Sequence, residues 1–459
     1  MIGKRETFMK RYLTKGELVS VASMLFGLFF GAGNLIFPVY MGQLAGANLA
    51  PAVVGFLITG VGLPLMGVTA IGISRSDGLI ELSGKVSHSY CVFFTCALYL
   101  TIGPFFAIPR CAAVPFTVGV EPLLGEGASA ALALGIFSAL FFAAVLGFSL
   151  FPGKILTWVG RILTPLFLLF LGVLITAALL DPMGAISQIP PAAGYDTAPF
   201  VTGFLSGYDT MDALASLAFG IVIINVIRGL GIRDAHDVAK NTVRAGIFSC
   251  LLMALIYLAV TVVGAQTRGL YDTCANGGEV LTLIAHYYFG KAGALILAVT
   301  VTFACLKTAV GLVTSCAETF RELFPHALSY RAWAILFSGF SFFVANLGLN
   351  TIVDYSVPML MLLYPLAITL ILLGLSGDLF GHSRCVYGFV TGFTLIPAVL
   401  DFFRALPKAA ITALHVQPLI DAAAAVLPLY EKGFGWLLPA FLGLVIGLCV
   451  MRTRKPSRA

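Results

Sequence analysis

The chain has 459 residues, of which 59% are hydrophobic and only 10% are charged, and its mean hydropathy is +1.00. Soluble domains carry roughly 25% charged residues, so this composition excludes a soluble protein and predicts a polytopic membrane protein. The formal net charge of +6 does not indicate nucleic-acid binding, because the basic residues follow membrane loops. No nucleic-acid partner is expected, and the lipid bilayer is the surrounding medium.

The apolar runs predict about twelve transmembrane helices in one all-α domain that covers residues 1–459. The spans lie at 17–45, 50–73, 89–115, 130–150, 155–180, 199–227, 241–264, 291–319, 331–349, 352–375, 385–402 and 434–451. The connections are short except at 181–198, 265–290 and 403–433. The nine cysteines and six histidines lack the close spacing of zinc ligands, so no cofactor and no metal centre of that kind is predicted.

The distribution of Lys and Arg predicts the orientation in the membrane. The two terminal segments and the even-numbered loops carry 20 of the 27 basic residues, and the odd-numbered loops carry five. The remaining two, Arg110 and Lys307, fall inside spans. Because basic residues concentrate on the cytoplasmic side, both termini are predicted to be cytoplasmic.

Spans 1 and 6 are interrupted by glycine and polar residues near their centres. Span 1 reads GLFFGAGNLIFP from Gly27 to Pro38, and span 6 contains SGYDTMD at 206–212. Unpaired backbone at membrane depth is tolerated only where it is buried in protein or lines a wet cavity. A break exposes carbonyls to a cation or ammonium group, and the resumed half-helix offers N–H groups to a carboxylate. The alternative interpretation is that these glycines only allow close helix packing.

The two broken spans are five spans apart and therefore cross the membrane in opposite directions. This offset predicts a 5+5 inverted repeat, with helices 1–5 in 17–180 and helices 6–10 in 199–375, followed by two additional helices in 385–451. Such a pair of breaks favours a carrier for a small zwitterion such as an α-amino acid. The chain has no G-x-x-x-x-G-K-[ST] motif, which argues against a primary transporter, and no H-E-x-x-H motif, so no enzyme is predicted. A channel-like pore lined by the broken helices remains the alternative.

Four motifs in order resemble the bacterial branched-chain amino acid:cation symporters. They are GLFFGAGNLIFPVYMGQLAG at Gly27–Gly46, IGPFFAIPR at Ile102–Arg110, GYDTMDALASLAFG at Gly207–Gly220 and TFACLKTAVGLVTSCAE at Thr302–Glu318. The resemblance covers essentially the whole chain. It implies a leucine-transporter-like fold of the amino acid–polyamine–organocation superfamily and uptake of leucine, isoleucine and valine in a bacterial inner membrane. It implies alternating access driven by a cation, and no obligatory protein partner.

The resemblance also implies the substrate site. The substrate-binding residues would be Ala32, Gly33 and Asn34 of span 1 and Gly207, Tyr208, Asp209 and Thr210 of span 6. The substrate carboxylate would face the half-helix that begins near Asn34, and the ammonium group would face carbonyls of Gly207–Asp209.

The resemblance implies a cation site between span 1 and span 8, with Phe30 and Gly31 on span 1. Sodium-coupled members of this fold use two hydroxyl residues on span 8, and here the corresponding pair is Lys307–Thr308. The Lys307 ammonium could replace sodium, so the coupling ion is Na⁺ by family resemblance or H⁺ because of this lysine. The alternatives are a structural lysine that pairs with Asp209 or Asp212, or one whose depth is misjudged.

Three further charged residues have two interpretations each. Asp209 is interpreted as functional rather than as a packing residue, because carboxylates at mid-membrane are expensive. Asp212 either shares that role or caps the resumed half-helix. Arg110 either snorkels to the outer interface or gates the outer side with Asp354 and Tyr355.

Overall fold

The computed structural model describes residues 11–74, 76, 78–124, 129–150 and 155–454. Within these ranges the regular structure is entirely helical and contains no strand, which confirms the all-α prediction. The α-helices are α1 (Lys15–Phe29), α2 (Gly33–Ala45), α3 (Leu49–Leu57), α4 (Leu63–Ile73), α5 (Leu79–Gly84), α6 (His88–Leu100), α7 (Ala107–Pro115), α8 (Ala130–Leu150), α9 (Ile155–Leu180), α10 (Pro199–Ser206), α11 (Asp212–Gly229), α12 (Ala235–Gln266), α13 (Gly277–Leu323), α14 (Tyr330–Ala345), α15 (Leu349–Ser376), α16 (Arg384–Ala405), α17 (Lys408–Ala413), α18 (Gln417–Val426) and α19 (Leu437–Arg454).

Seven helical segments in the described part of the chain are long and apolar enough to cross a membrane, or eight if the bent helix α11 counts as one span. Helices α1 and α10 have only 15 and 8 residues, whereas a span needs about 20, because each of them stops at a break. The chain is therefore a multi-pass membrane protein, and its division into twelve spans stays a prediction. Residues 1–10 and 455–459, which carry part of the basic count, lie outside the described ranges.

The first break separates α1 from α2 and leaves three residues outside regular helix. The Gly31 amide, which has no helical acceptor there, donates to the Asn34 side-chain oxygen at 2.9 Å. The carbonyl of Ala32 accepts from the amides of Leu35 and Ile36, both at 3.3 Å. The predicted interruption of span 1 is confirmed. Pro38 lies inside α2 and does not end it.

The second break separates α10 from α11. One 3₁₀ turn, Gly207–Thr210, follows α10, and Met211 then adopts the left-handed conformation with φ +62°. A residue other than glycine seldom has positive φ, and such strain is held only by its surroundings. Met211 is 2% exposed, so packing on all sides fixes this turn. The predicted interruption of span 6 is also confirmed.

Two further spans are irregular: the predicted span 3 at 89–115 and the predicted span 2 at 50–73. A π-helical turn at Thr101–Phe105 separates α6 from α7, and Gly103 within it has non-helical dihedrals. Pro104 has no amide proton to donate and glycine tolerates unusual dihedrals, which together explain the distortion. A second π-helical turn, Ile58–Gly62, joins α3 to α4.

Two of the long predicted connections contain helices. The first half of α13 occupies most of the predicted connection 265–290, and the helix changes direction at Gly290, where φ is +60°. Helices α17 and α18 lie within the predicted connection 403–433. A span assignment based on apolar length counts only stretches that could cross a bilayer, so it passes over shorter helices.

The helices that contain the two breaks pack into one group. Helices α1 and α2 pack on α12, and α3 and α4 pack on α10 and α11. A second group forms around α13, which packs on α7, α8, α9 and α14. Beyond these, α15 packs on α16, and α16 packs on α19. Both breaks therefore belong to the first group, and α13 of the second group also packs on α2.

Glycine residues bring the helices of the first group into backbone contact. A Cβ at Gly42 of α2 would overlap the Thr261 carbonyl of α12, and one at Gly264 would overlap the Val39 carbonyl. Between α3 and α10, a Cβ at Gly203 would overlap the carbonyl of Ala52. Membrane helices approach this closely only where the residue at the contact is small.

We expect Gly203→Ala to lower the stability of the folded protein by about 1–3 kcal/mol, because the added methyl group forces α10 away from α3. Thermal unfolding of the purified protein in detergent measures this loss. Gly147→Ala is the matched control, because a Cβ at this position in α8 would meet no atom within 4 Å. Equal melting temperatures for the two variants would contradict the expectation.

Candidate functional site

The two breaks face a common cavity near the centre of the molecule. Helix α7 and the central part of α13 form its other walls. The lining residues are Leu28, Phe29, Gly31, Ala32, Gly33, Asn34, Ile102, Ala107, Arg110, Cys111, Thr210, Met211, Asp212, Ala215, Phe219, Thr308 and Leu312. The cavity thus combines backbone from both breaks, a few polar side chains and an apolar wall contributed by α7, α11 and α13.

A buried hydrogen-bond network connects the two breaks. The Asn34 side-chain amide donates to the Asp212 carboxylate at 2.5 Å and also contacts the Tyr257 hydroxyl. The Tyr257 hydroxyl donates to the same carboxylate oxygen at 2.9 Å. All three side chains are at most 2% exposed. The network therefore fixes the start of α2, the start of α11 and the middle of α12 relative to one another.

The capping role considered for Asp212 is not what its contacts show. Among the described residues, the hydrogen bonds to its carboxylate come from Asn34 and Tyr257 and not from the amides of α11. A carboxylate that receives donors from two other helices crosslinks those helices rather than terminating its own. Tyr257 is a site residue that the sequence analysis missed, although it is a polar residue within the apolar run LLMALIYLAVTVV.

The predicted substrate residues of span 6 occupy two environments. Thr210 lines the cavity, whereas Gly207, Tyr208 and Asp209 do not. Tyr208 stacks on Tyr364 with ring centroids 3.8 Å apart, so its ring is part of the packing between the span 6 turn and α15. A Cβ at Gly207 would overlap the hydroxyl of Thr59, which shows that the turn presses against the π-helical turn of span 2.

The predicted substrate residues of span 1 all line the cavity. These residues are Ala32, Gly33 and Asn34. The Asn34 side chain already forms hydrogen bonds with Gly31, Asp212 and Tyr257. What the segment offers to the cavity is therefore backbone, in the form of the first amides of α2, rather than a side-chain amide.

Arg110 is buried and lies in the same cavity. It is 3% exposed, and its guanidinium donates to the backbone carbonyl of Asp209 at 2.8 Å. The guanidinium carbon also lies 5.1 Å from the centre of the Phe37 ring. This burial does not fit snorkelling, which requires the charged head to reach the interface.

The structure does not bring Arg110 together with its predicted gate partners. Asp354 and Tyr355 lie on the exposed surface of α15, and Tyr355 is 57% exposed. Arg110 bonds instead to the turn of span 6. An outer gate made by these three residues therefore stays a prediction without a contact in this structure.

The predicted cation residues of span 1 and span 8 face each other. A Cβ at Gly31 would lie 3.1 Å and 3.2 Å from the Cγ2 and Oγ1 atoms of Thr308. One turn earlier, a Cβ at Gly27 would overlap the Lys307 Nζ and lie 3.6 Å from its Cε. Phe30, between these glycines, is 6% exposed and stacks on Phe26 with centroids 4.8 Å apart.

Lys307 belongs to a different cavity from Asp212 of span 6. It lines a space of about 350 Å³ whose other walls come from α1, α9 and α12. Asp212 lines the central cavity, and its carboxylate is bonded to Asn34 and Tyr257. This arrangement places the Lys307 ammonium against the backbone of α1 and not beside Asp212, so the structural pairing with that residue is not observed.

Comparison with known proteins identifies the family. The family model described as "Branched-chain amino acid transport protein" matches residues 14–454. The chain is 52% identical to the branched-chain amino acid permease BrnQ of Lactobacillus delbrueckii subsp. lactis over 94% of its own length and 96% of the relative. It is 41% identical to BrnQ of Bacillus subtilis over 97% of this chain and 100% of that relative. It is 40% identical to the branched-chain amino acid transport system 2 carrier protein of Pseudomonas aeruginosa, with 96% and 98% covered.

Solved structures with a similar fold have little sequence in common with this chain. One is the nucleobase-cation-symport-1 family transporter Mhp1, with a TM-score of 0.58 and 14% identity over 95% of this chain and 92% of that protein. Another is a mutant of the manganese transporter of Eremococcus coleocola, with a TM-score of 0.58 and 14% identity over 96% and 97%. At this identity the similarity supports a shared transporter fold and nothing about substrate.

The family match and the identity to relatives over nearly their whole length confirm the resemblance inferred from the four motifs. They also confirm that the protein is a transporter and not an enzyme, since the family consists of transport proteins. The chain belongs to the branched-chain amino acid transport protein family.

Proposed function

We propose that this chain imports leucine, isoleucine and valine by symport with a cation. The observation that carries the proposal is the central cavity, where two interrupted helices meet an apolar wall. The relatives that cover nearly the whole chain are named as permeases or carriers of branched-chain amino acids. A site for such a zwitterion must hold a carboxylate, an ammonium group and an aliphatic side chain, and the cavity offers a surface for each.

The proposed carboxylate site is the beginning of α2. The amides of Leu35 and Ile36 donate to Ala32, and that of Gly31 donates to Asn34. Within the described residues this leaves the amides of Ala32, Gly33 and Asn34 without acceptors in the protein. Amides at a helix N-terminus favour an anion. The substrate ammonium group would be held on the span 6 side, near Asp212 and Thr210, and not by Gly207 or Tyr208.

The proposed side-chain pocket is the apolar wall of the cavity. It contains small residues on two facing helices, Ala107 and Cys111 on α7 and Ala215 on α11, with Phe219 and Leu312 beyond them. The cavity has a volume of about 40 Å³ in this structure, so it would have to widen around an isobutyl or isopropyl group. Burial of such a group is worth about 1.5–3 kcal/mol.

We further propose the membrane arrangement. The chain would have twelve spans in a single domain, with an inverted repeat of 17–180 and 199–375 and two additional helices in 385–451. The positive-inside bias would place both termini in the bacterial cytoplasm. The helix group formed by spans 1, 2, 6 and 7 would rock against that of spans 3, 4, 8 and 9, which supplies alternating access. The packing of the helices into two groups supports this division.

The proposed coupling ion is Na⁺ or H⁺, bound between span 1 and span 8. The close approach of Thr308 to Gly31 and of Lys307 to Gly27 supports a shared site. A lysine in the place of a hydroxyl ligand would supply its own positive charge, and its loss of a proton would couple transport to H⁺. No other cofactor and no protein partner is proposed.

Radiolabelled leucine uptake into proteoliposomes tests the function, with Na⁺ and H⁺ gradients imposed separately. We expect saturable uptake driven by one of the two gradients, and competition by unlabelled isoleucine and valine. Accumulation of another zwitterion with no response to branched-chain amino acids would contradict the proposed substrate. Passive ion current, or uptake without saturation and counterflow, would instead indicate a channel-like pore.

A further inference from the structure

We infer that Arg110 binds the α-carboxylate of the transported amino acid, as a second ligand to that group beside the amides of α2. This inference rests on the proposed function, since it requires an amino acid in the central cavity. The residue lies on α7, outside both breaks, so it would add a contact from the opposite helix group to a site otherwise made by spans 1 and 6.

Arg110 is buried and forms no ion pair with an acidic side chain in the described part of the chain. It is 3% exposed. Across the described residues no carboxylate oxygen lies within 4.0 Å of its guanidinium nitrogens. Its hydrogen bond in the protein runs from one nitrogen to the Asp209 carbonyl. A guanidinium has five N–H donors, and a buried charge is expensive unless it is paired. This residue therefore has N–H donors that an anion in the cavity could accept.

Arg110 lies in the same cavity as the proposed carboxylate site at the start of α2. The Phe37 ring is the point of reference, because it lies beside both groups. A Cβ at Gly33 would be 3.2 Å from this ring, and the Arg110 guanidinium carbon is 5.1 Å from its centre. Gly33 and Arg110 also line the same cavity. The guanidinium and the start of α2 thus border the same cavity beside one aromatic ring.

The carboxylates of the two acidic residues in span 6, Asp209 and Asp212, do not accept a hydrogen bond from Arg110. The Asp212 carboxylate already accepts from Asn34 and Tyr257. The Asp209 backbone, and not its carboxylate, receives the Arg110 hydrogen bond. An α-carboxylate can accept two parallel hydrogen bonds from a guanidinium, which is the geometry that favours arginine over lysine. A bound carboxylate would then link α7 to the span 6 turn through Arg110.

The test compares leucine with leucinamide, which keeps the ammonium group and the side chain but has a neutral amide in place of the carboxylate. Both compounds compete with radiolabelled leucine in proteoliposomes that contain the full chain. We expect Arg110→Gln to raise the half-saturating leucine concentration about 10- to 100-fold, the range for a hydrogen bond to a charged group. The inhibition by leucinamide should change little, so the preference for leucine over leucinamide should disappear.

Two more variants test whether the paired donors of Arg110 cause the effect. Arg110→Lys retains the charge and loses the paired donors, so its preference for leucine over leucinamide should fall between those of the wild type and Arg110→Gln. This variant replaces Arg110→Gln in the test if Arg110→Gln does not fold. Arg268→Gln is the matched control, because this arginine lies in the 3₁₀ turn after α12, away from the cavity, and its preference should equal that of the wild type.

The outcomes separate the inference from the proposed function. If the wild type does not take up leucine, the proposed function fails. If it does, but the Arg110 variants keep the wild-type ratio of leucine to leucinamide affinities, the inference is overturned. A loss of maximal rate alone in these variants would overturn the inference as well, since an outer gate or a purely structural arginine would act in that way.

Discussion

Replacing Asp212 with alanine is expected to reduce leucine uptake at least about 30-fold, the factor for two buried donors that each lose about 1 kcal/mol or more. The substitution removes the acceptor of the Asn34 amide and of the Tyr257 hydroxyl. Both side chains are at most 2% exposed, so water does not readily replace the lost carboxylate. The starts of α2 and α11 would then no longer be held in register, and the two halves of the proposed site would separate.

Two matched variants show whether the loss arises from this network. Asp181→Ala removes an exposed carboxylate at the end of α9 and should leave uptake unchanged. Tyr257→Phe removes only one donor, so it should cost about 1 kcal/mol, or roughly fivefold in uptake. Because the two residues share one hydrogen bond, the double variant should lose less than the sum of the single losses. Strictly additive losses, or near-normal uptake by Asp212→Ala, would show that the network does not organise the site.

The two breaks are predictable from the sequence because their cause is local. Glycine and polar residues within an apolar run have few acceptable structures in a membrane, and both interruptions occur within the predicted motifs. The interruption of span 3 at Gly103 and Pro104 is not predicted in this way. A single glycine–proline pair is common in membrane helices, so its consequence depends on what packs against it.

The contacts between side chains on opposite sides of the breaks cannot be predicted from the sequence alone. The sequence allows either a functional or a capping role for Asp212. Only the tertiary arrangement shows that its carboxylate accepts hydrogen bonds from Asn34 and Tyr257. Arg110 is far along the chain from both breaks, and its distance from the interface does not follow from span boundaries that are uncertain by a few residues. Residues that contact through long-range packing leave no spacing pattern in one sequence.

In the proposed mechanism, the driving ion depends on the residue that faces the first break from span 8. The Lys307 side chain approaches Gly27 on α1, and its neighbour Thr308 approaches Gly31. A lysine inside a span costs about 2.5–3.5 kcal/mol on insertion scales, which is the reason for proposing a function for Lys307. An ammonium at an ion site excludes a sodium ion by repulsion and by volume, whereas a hydroxyl in its place would provide a ligand.

Lys307→Thr is therefore expected to make leucine uptake dependent on Na⁺, with about tenfold stimulation if the new oxygen ligand contributes about 1.4 kcal/mol. The measurement is initial uptake into proteoliposomes with Na⁺ or choline outside, at equal pH on both sides. Lys291→Thr, an exposed position on the same helix, should keep the wild-type response. Stoichiometric Na⁺ coupling in the wild type would contradict the role of Lys307 as an ion surrogate. An active Lys307→Thr protein whose uptake does not respond to Na⁺ would also contradict this role. Without the lysine, the hydroxyl oxygens of Thr308 and of the introduced threonine should bind Na⁺.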